Sequence, residues 1–198
     1  FYPFAGGDFY YANLFYPKQD TIIMIGLEPC GSIFNPDSVK SLANYYTTLR
    51  KTMFFPHKYG FFRTLSMEVD FNQFPLNGTL HTNLFYLARA NYNIHYIEHF
   101  NIDASGKIID VTPAEKNNKA RKYRGYRIGY STPGSKEIKQ LVYMSIDASN
   151  DGLKGKYKGY FTWIQSHKRV VGFFKAASYL MHNHLAGSFG MMREYVNG

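Results

Sequence analysis

Gly6, Gly7 and Asp8, with Glu28 standing 21 residues after Gly7, are the residues whose types and spacing could hold a ligand. Two glycines in a turn let a phosphate or carboxylate approach backbone N–H groups, because no Cβ intervenes. A helix starting there adds a partial positive charge. A carboxylate closing the next strand can accept hydrogen bonds from ribose hydroxyls. The pattern departs from Gly-x-Gly-x-x-Gly, and Pro3 stands just before it. Asp8 is expected to cap the helix, using the N–H groups that a pyrophosphate would need. A neutral or zwitterionic ligand, such as a nucleoside or a methyl donor, therefore suits the turn better. The plain alternative is a capped strand-to-helix turn with no ligand. No cofactor and no reaction are named by these residues.

Other reactive side chains read as structure. His95-Tyr96-Ile97-Glu98-His99 matches His-x-x-Glu-His, whose zinc chemistry needs a helix. Here the surroundings alternate with period 2, and on a strand the two imidazoles would lie about 13 Å apart. His182 and His184 follow an apolar helical pattern and suit a helix C-terminus, where the dipole favours cations. No metal site is expected. The single Cys30 excludes an intrachain disulfide framework, and there is no nucleophile elbow, Walker loop or EF-hand loop.

The charge is uneven. Of a net +9, residues 116–127 contribute six cations without an acid and residues 154–169 five more, so the remainder stands near −2. Lys119, Arg121, Lys122, Arg124 and Arg127 interleave with Tyr123, Tyr126 and Tyr130. Phosphate contacts with stacked bases are one use for such a segment. Anionic polysaccharide or lipid would satisfy the same charges, and a soluble edge hairpin is the plain alternative.

These residues need elements to place them. Phe9–Pro17 predicts a short helix and Thr21–Gly26 an apolar strand. A helix is expected from Asp37 or Ser38 to about Met53, with Leu42, Ala43, Tyr46 and Leu49 along one face. Thr79–Asn91 reads as another. Asn93–Asp103 alternates, Ala104-Ser105-Gly106 turns, and Lys107–Val111 returns. Arg124–Ser131 and Gln140–Asp147 complete four strands that should pair antiparallel. Helices are expected over Tyr157–Ser166, Val170–Asn183 and Ser188–Val196. The fold class this predicts is α/β: a Rossmann-like N-terminal βα unit, a mixed sheet extended by an antiparallel meander, and C-terminal helices, all within one domain over residues 1–198. No apolar run reaches 18 residues, so no transmembrane span is expected.

Tyr2-Pro3-Phe4-Ala5-Gly6-Gly7-Asp8-Phe9, Gly26-Leu27-Glu28-Pro29, Phe62-Arg63-Thr64, Asp147-Ala148-Ser149-Asn150-Asp151-Gly152-Leu153 and Phe174–His182 occur in that order. Together they resemble a family of uncharacterised bacterial proteins that often carry export signals. The resemblance implies a periplasmic or secreted protein, and it implies chain beyond both ends of this one. It brings no known activity. It also groups Arg63, Asp151 and His182 with Asp8 and Glu28 as a polar network, since charges embedded in apolar sequence need partners. The function expected is binding of a small molecule at Gly6, Gly7, Asp8 and Glu28. The alternative is a basic, non-catalytic protein that binds a polyanion.

Overall fold

Thr21–Gly26 has no polar residue after its first position, and that run forms strand β1, buried on both faces from Ile22 onward. The computed structural model describes residues 1–33, 42–54, 58, 78–111, 123–175 and 186–198. Helix α1 (Phe9–Phe15) precedes β1, and helices α2 (Leu42–Thr52) and α3 (Leu80–Arg89) follow it. Then come strands β2 (Asn93–Ile102), β3 (Ile108–Asp110), β4 (Gly125–Ser131) and β5 (Lys139–Ser145). Helices α4 (Asn150–Lys154), α5 (Lys158–Gln165) and α6 (Ala186–Asn197) close the chain.

The five strands form one mixed sheet in the order β1-β5-β4-β2-β3. β2, β3, β4 and β5 pair antiparallel, as the short connections predict. β5 then lies parallel to β1, in register from Thr21 with Gln140 to Gly26 with Ser145. Period-2 alternation sends the two sets of β1 side chains to different layers. Ile22 and Met24 join Phe9, Leu80, Leu87, Tyr126 and Tyr143 beneath α1 and α3. Ile23 and Ile25 join Val142, Leu153, Phe161, Ile164 and Met192 beneath α4, α5 and α6. The architecture is thus mixed α/β with helices on both faces of the sheet. Among the described residues, no helix is long and apolar enough to cross a membrane.

Two helical expectations are corrected. In α2, Leu42 and Tyr46 are exposed, while Leu49 and Thr52 are buried. Leu49 packs with Met53 against Tyr45, Phe85 and Tyr86, so the neighbouring helix selects a face that the apolar count does not. Residues 170–175 are not helical. Their backbone pairs with the start of the chain instead: Phe173 N–H donates to the Phe1 carbonyl at 2.8 Å. Residues 176–183 of that expected helix lie outside the described residues, as does its His182.

Candidate functional site

The parallel strands bring the Gly-Gly turn and Glu28 to the same end of the sheet. Tyr2 N–H donates to Ile23 O (2.8 Å), Ile25 N–H to Tyr2 O (3.0 Å) and Ala5 N–H to Ile25 O (2.6 Å). Residues 2–5 therefore run beside β1, with Tyr2 bridging Met24 in parallel. The turn that follows is closed by Asp8 N–H on Ala5 O at 3.1 Å. Phe4 (φ 62°) and Gly6 (φ 55°) both take left-handed backbone there. That conformation is ordinary for Gly6 and strained for Phe4.

Glu28 packs directly on this turn. A Cβ on Gly6 would sit 3.2 Å from Glu28 Oε1, and one on Gly26 would sit 2.3 Å from Oε2. Glycine at position 26 is what leaves room for the carboxyl group. Tyr143 donates its hydroxyl to the Glu28 carbonyl at 2.8 Å and lies 3.4 Å from Oε2. Burial, and then the Glu28 charge, push that hydroxyl well above its ordinary value, so it stays a donor. The concave side of the glycine turn thus faces a carboxylate of the protein itself. Gly6 and Glu28 meet as the spacing predicts, with the carboxyl group occupying the turn.

Asp8 departs from expectation. It stands at the N-terminal boundary of α1 without a capping hydrogen bond. Its Oδ2 accepts instead from the Tyr2 hydroxyl and from Lys175 Nζ, each at 3.0 Å. Residues 2–5 and 170–175 hold those donors against it. The Tyr11 N–H favours the charged form without reaching hydrogen-bond geometry, and Oδ1 is buried with no partner among the described residues. Burial raises the Asp8 pKa, and Lys175 opposes that rise. Lys175 Nζ also lies 3.1 Å from the centroid of the Tyr11 ring. Burial lowers its pKa, and Asp8 counteracts this.

A second buried polar group adjoins Glu28. Tyr126 stacks on Tyr143 at 5.2 Å between centroids. Its hydroxyl lies 3.2 Å from Thr79 Oγ1 and accepts from Asn83 Nδ2 at 2.5 Å. Thr79, Thr82 and Asn83 are all buried, with His81, at the start of α3. Polar residues at helical spacing, where Leu80, Leu84 and Leu87 define the core face, are the sequence signal for this group. Lys175 and Tyr2 have no comparable signal. Cys30 sits beside these tyrosines, and burial pushes its thiol up to about 12, which removes thiolate chemistry.

The remaining expected residues divide. Asp151 is exposed in the first turn of α4 and makes no side-chain hydrogen bond among the described residues, so it does not join Asp8 or Glu28. Its motif builds the local structure: Ser149 caps α4 by accepting from Gly152 N–H, and Asn150 Oδ1 accepts from Met191 N–H. Arg63, His182, Lys119, Arg121 and Lys122 lie outside the described residues. Arg127 is held by Glu98 (2.6 Å) and Asp110 (3.0 Å). The Arg124 guanidinium and Lys156 Nζ both approach the Tyr157 ring, at 5.7 and 5.5 Å from its centroid. The two basic segments therefore meet there.

His95 reaches Ser131 and buried His99 reaches the Gly31 carbonyl, so the two imidazoles of the β2 motif turn to different partners. Among the described residues no cluster of three or more His, Cys, Asp or Glu is arranged to hold a metal. A cleft of about 100 Å³ lies at the opposite, amino end of β1, lined by Thr21, Gln19, His167 and Arg169 among others. It is small beside the ~300–1,000 Å³ of typical ligand pockets.

What these features define is a mixed α/β fold in which a glycine turn and a buried glutamate meet at the carboxyl end of β1. Comparison with protein-family models, curated proteins and solved structures gives no match for this chain.

Proposed function

We propose that this chain is the small-molecule-binding domain of an exported protein, with its site at Gly6, Gly7, Asp8 and Glu28. The observation that carries the reading is the packing of the Glu28 carboxyl against Gly6 where residues 2–5 and β1 end side by side. The unit is Rossmann-like in its order of extended segment, α1 and parallel β1, and open α/β sheets bind ligands beyond the carboxyl ends of their strands. Glu28 already fills the glycine turn, which leaves a phosphate no place on its backbone N–H groups. Nucleosides and methyl donors need no such place. Export follows the resemblance described above.

Thermal unfolding against nucleosides, methyl donors, amino acids and dinucleotides tests this. A ligand at 100 times its Kd adds about 2.7 kcal/mol of stability, which is roughly 5–10 °C for a chain of this size. Glu28→Gln should remove the shift. A panel without any shift sinks the reading.

A second reading has one observation in its favour, the meeting of Arg124 and Lys156 at Tyr157. With exposed Lys154 and Lys158 nearby, they form a basic surface suited to a polyanion. Binding to heparin should then fall steeply with salt, and Lys156→Glu should weaken it. Salt-independent retention argues against this surface.

A further inference from the structure

We propose that the Asp8 carboxylate, the Tyr2 hydroxyl and the ring of Tyr11 form a recognition site for an organic ammonium group, and that Lys175 occupies it as a tethered stand-in. This rests on the small-molecule reading above and names its ligand class.

Four observations converge on it. The Lys175 ammonium is seated between a carboxylate oxygen at 3.0 Å and the face of Tyr11 at 3.1 Å. A carboxylate beside an aromatic face is chemistry that recognises alkylated ammonium ions. The carboxylate lies beneath and the amine lies at the mouth: the Asp8 side chain is 4% exposed and that of Lys175 21%. Asp8 is incompletely used among the described residues, because Tyr2 and Lys175 both donate to Oδ2 while Oδ1 is buried without a partner there. The rim is open and aromatic, since Tyr10 packs on Tyr11 and Tyr86 at 5.1 and 5.6 Å and is 48% exposed.

The chemistry favours exchange of the occupant. A lysine ammonium is compact and strongly hydrated, and burial in this setting works against its charge. An alkylated ammonium sheds less hydration on entry and covers more of the ring. Lys175 needs no movement of the backbone to leave. Its strap is pinned by Phe173 N–H on the Phe1 carbonyl, and its side chain already keeps part of its surface in water. A tethered group competes at an effective concentration of roughly millimolar or above. Its removal should therefore tighten binding of a free ammonium by about tenfold or more.

The test titrates tetramethylammonium and n-butylammonium into wild-type protein and Lys175→Ala by calorimetry, with sodium at equal ionic strength as the control. The expected result is weak binding to wild type and at least tenfold tighter binding to Lys175→Ala, lost in Lys175→Ala/Asp8→Asn. If Lys175→Ala does not fold, Lys175→Gln replaces it, and ligand-observed NMR on the wild type reads the same competition. Absence of ammonium binding in the Lys175 variants overturns the proposal, and so does binding indifferent to Asp8→Asn. Nucleosides that stabilise the protein through Glu28, while both ammonium probes fail, would remove the ligand class and leave the pocket standing.

Discussion

Gly78→Ala is expected to cost about 3 kcal/mol or more, a large part of the ~5–15 kcal/mol that holds a domain together. A Cβ there would lie 2.1 Å from Gly31 N and 2.4 Å from both Cys30 C and Pro29 O. All three are backbone atoms, which cannot rotate aside as a side chain can. Glycine is also required by the conformation, with φ at 156°. The crossing is fixed by an antiparallel bridge between Cys30 and Gly78, and by Thr79 and Leu80 N–H donating to the Pro29 and Cys30 carbonyls. These same bonds set the start of α3, whose Thr79 and Asn83 hold Tyr126 beside Tyr143 and Glu28. Gly134→Ala is the comparison: it has a positive φ of 78° but nothing within 4 Å of the added methyl. It should cost only about 1 kcal/mol. Urea midpoints measure both, and equal losses would show that the crossing at Gly31 is not tight.

Lys175→Met is expected to cost about 3 kcal/mol near pH 8, and far less near pH 4. Removing one member of a buried pair leaves the other charge uncompensated. The value lies at the lower end of that range because Lys175 keeps part of its surface in water. The sign follows from Asp8, whose folded pKa is raised by burial above the ordinary carboxylate value. Such a group contributes stability that is complete below its unfolded pKa of about 3.9 and is lost as pH rises through the folded value. In the wild type Lys175 limits that loss. Without it the folded value climbs further, so the loss deepens and extends toward neutrality. The gap between wild type and variant should therefore widen from pH 4 to pH 8. Asp8→Asn behaves in the opposite sense: the lysine can turn to solvent, the cost should be about 1 kcal/mol or less, and it should shrink as pH rises from 4 to 8, because Asn never takes up the buried charge. Chemical denaturation across pH reads both variants. A gap for Lys175→Met that stays constant with pH would show that Asp8 is not charged against Lys175.

Much of the scaffold was legible because its signals are local. The apolar run of Thr21–Gly26, the alternation in Asn93–Ile102 and the turn at Ala104–Gly106 act over a few residues, and the strands form there. The antiparallel order of β2 to β5 follows from short connections. α1 and α5 fall where the spacing places them. Within the site, the meeting of Gly6 and Glu28 was readable too, since one helix and one strand separate them.

The misreadings share another cause. Val171 and Phe174 have helical spacing, yet residues 170–175 give their backbone to the start of the chain, because pairing there satisfies N–H and C=O groups as well as a helix would. α2 turns Leu49 and Thr52 inward because Phe85 and Tyr86 of α3 are what it meets. Asp8 reads as a helix cap from its neighbours, but donors from Tyr2 and Lys175 reach it first.

By itself, the sequence determined the mixed α/β class, the antiparallel meander and the glycine turn with its carboxylate. Those follow from periodicity and backbone freedom within short windows. Only the tertiary structure decided that β5 enters parallel beside β1, that Tyr143 holds Glu28, and that Lys175, 167 residues away, sits on Asp8. A buried charge selects its partner by proximity in the folded core, and no spacing along the chain encodes that distance.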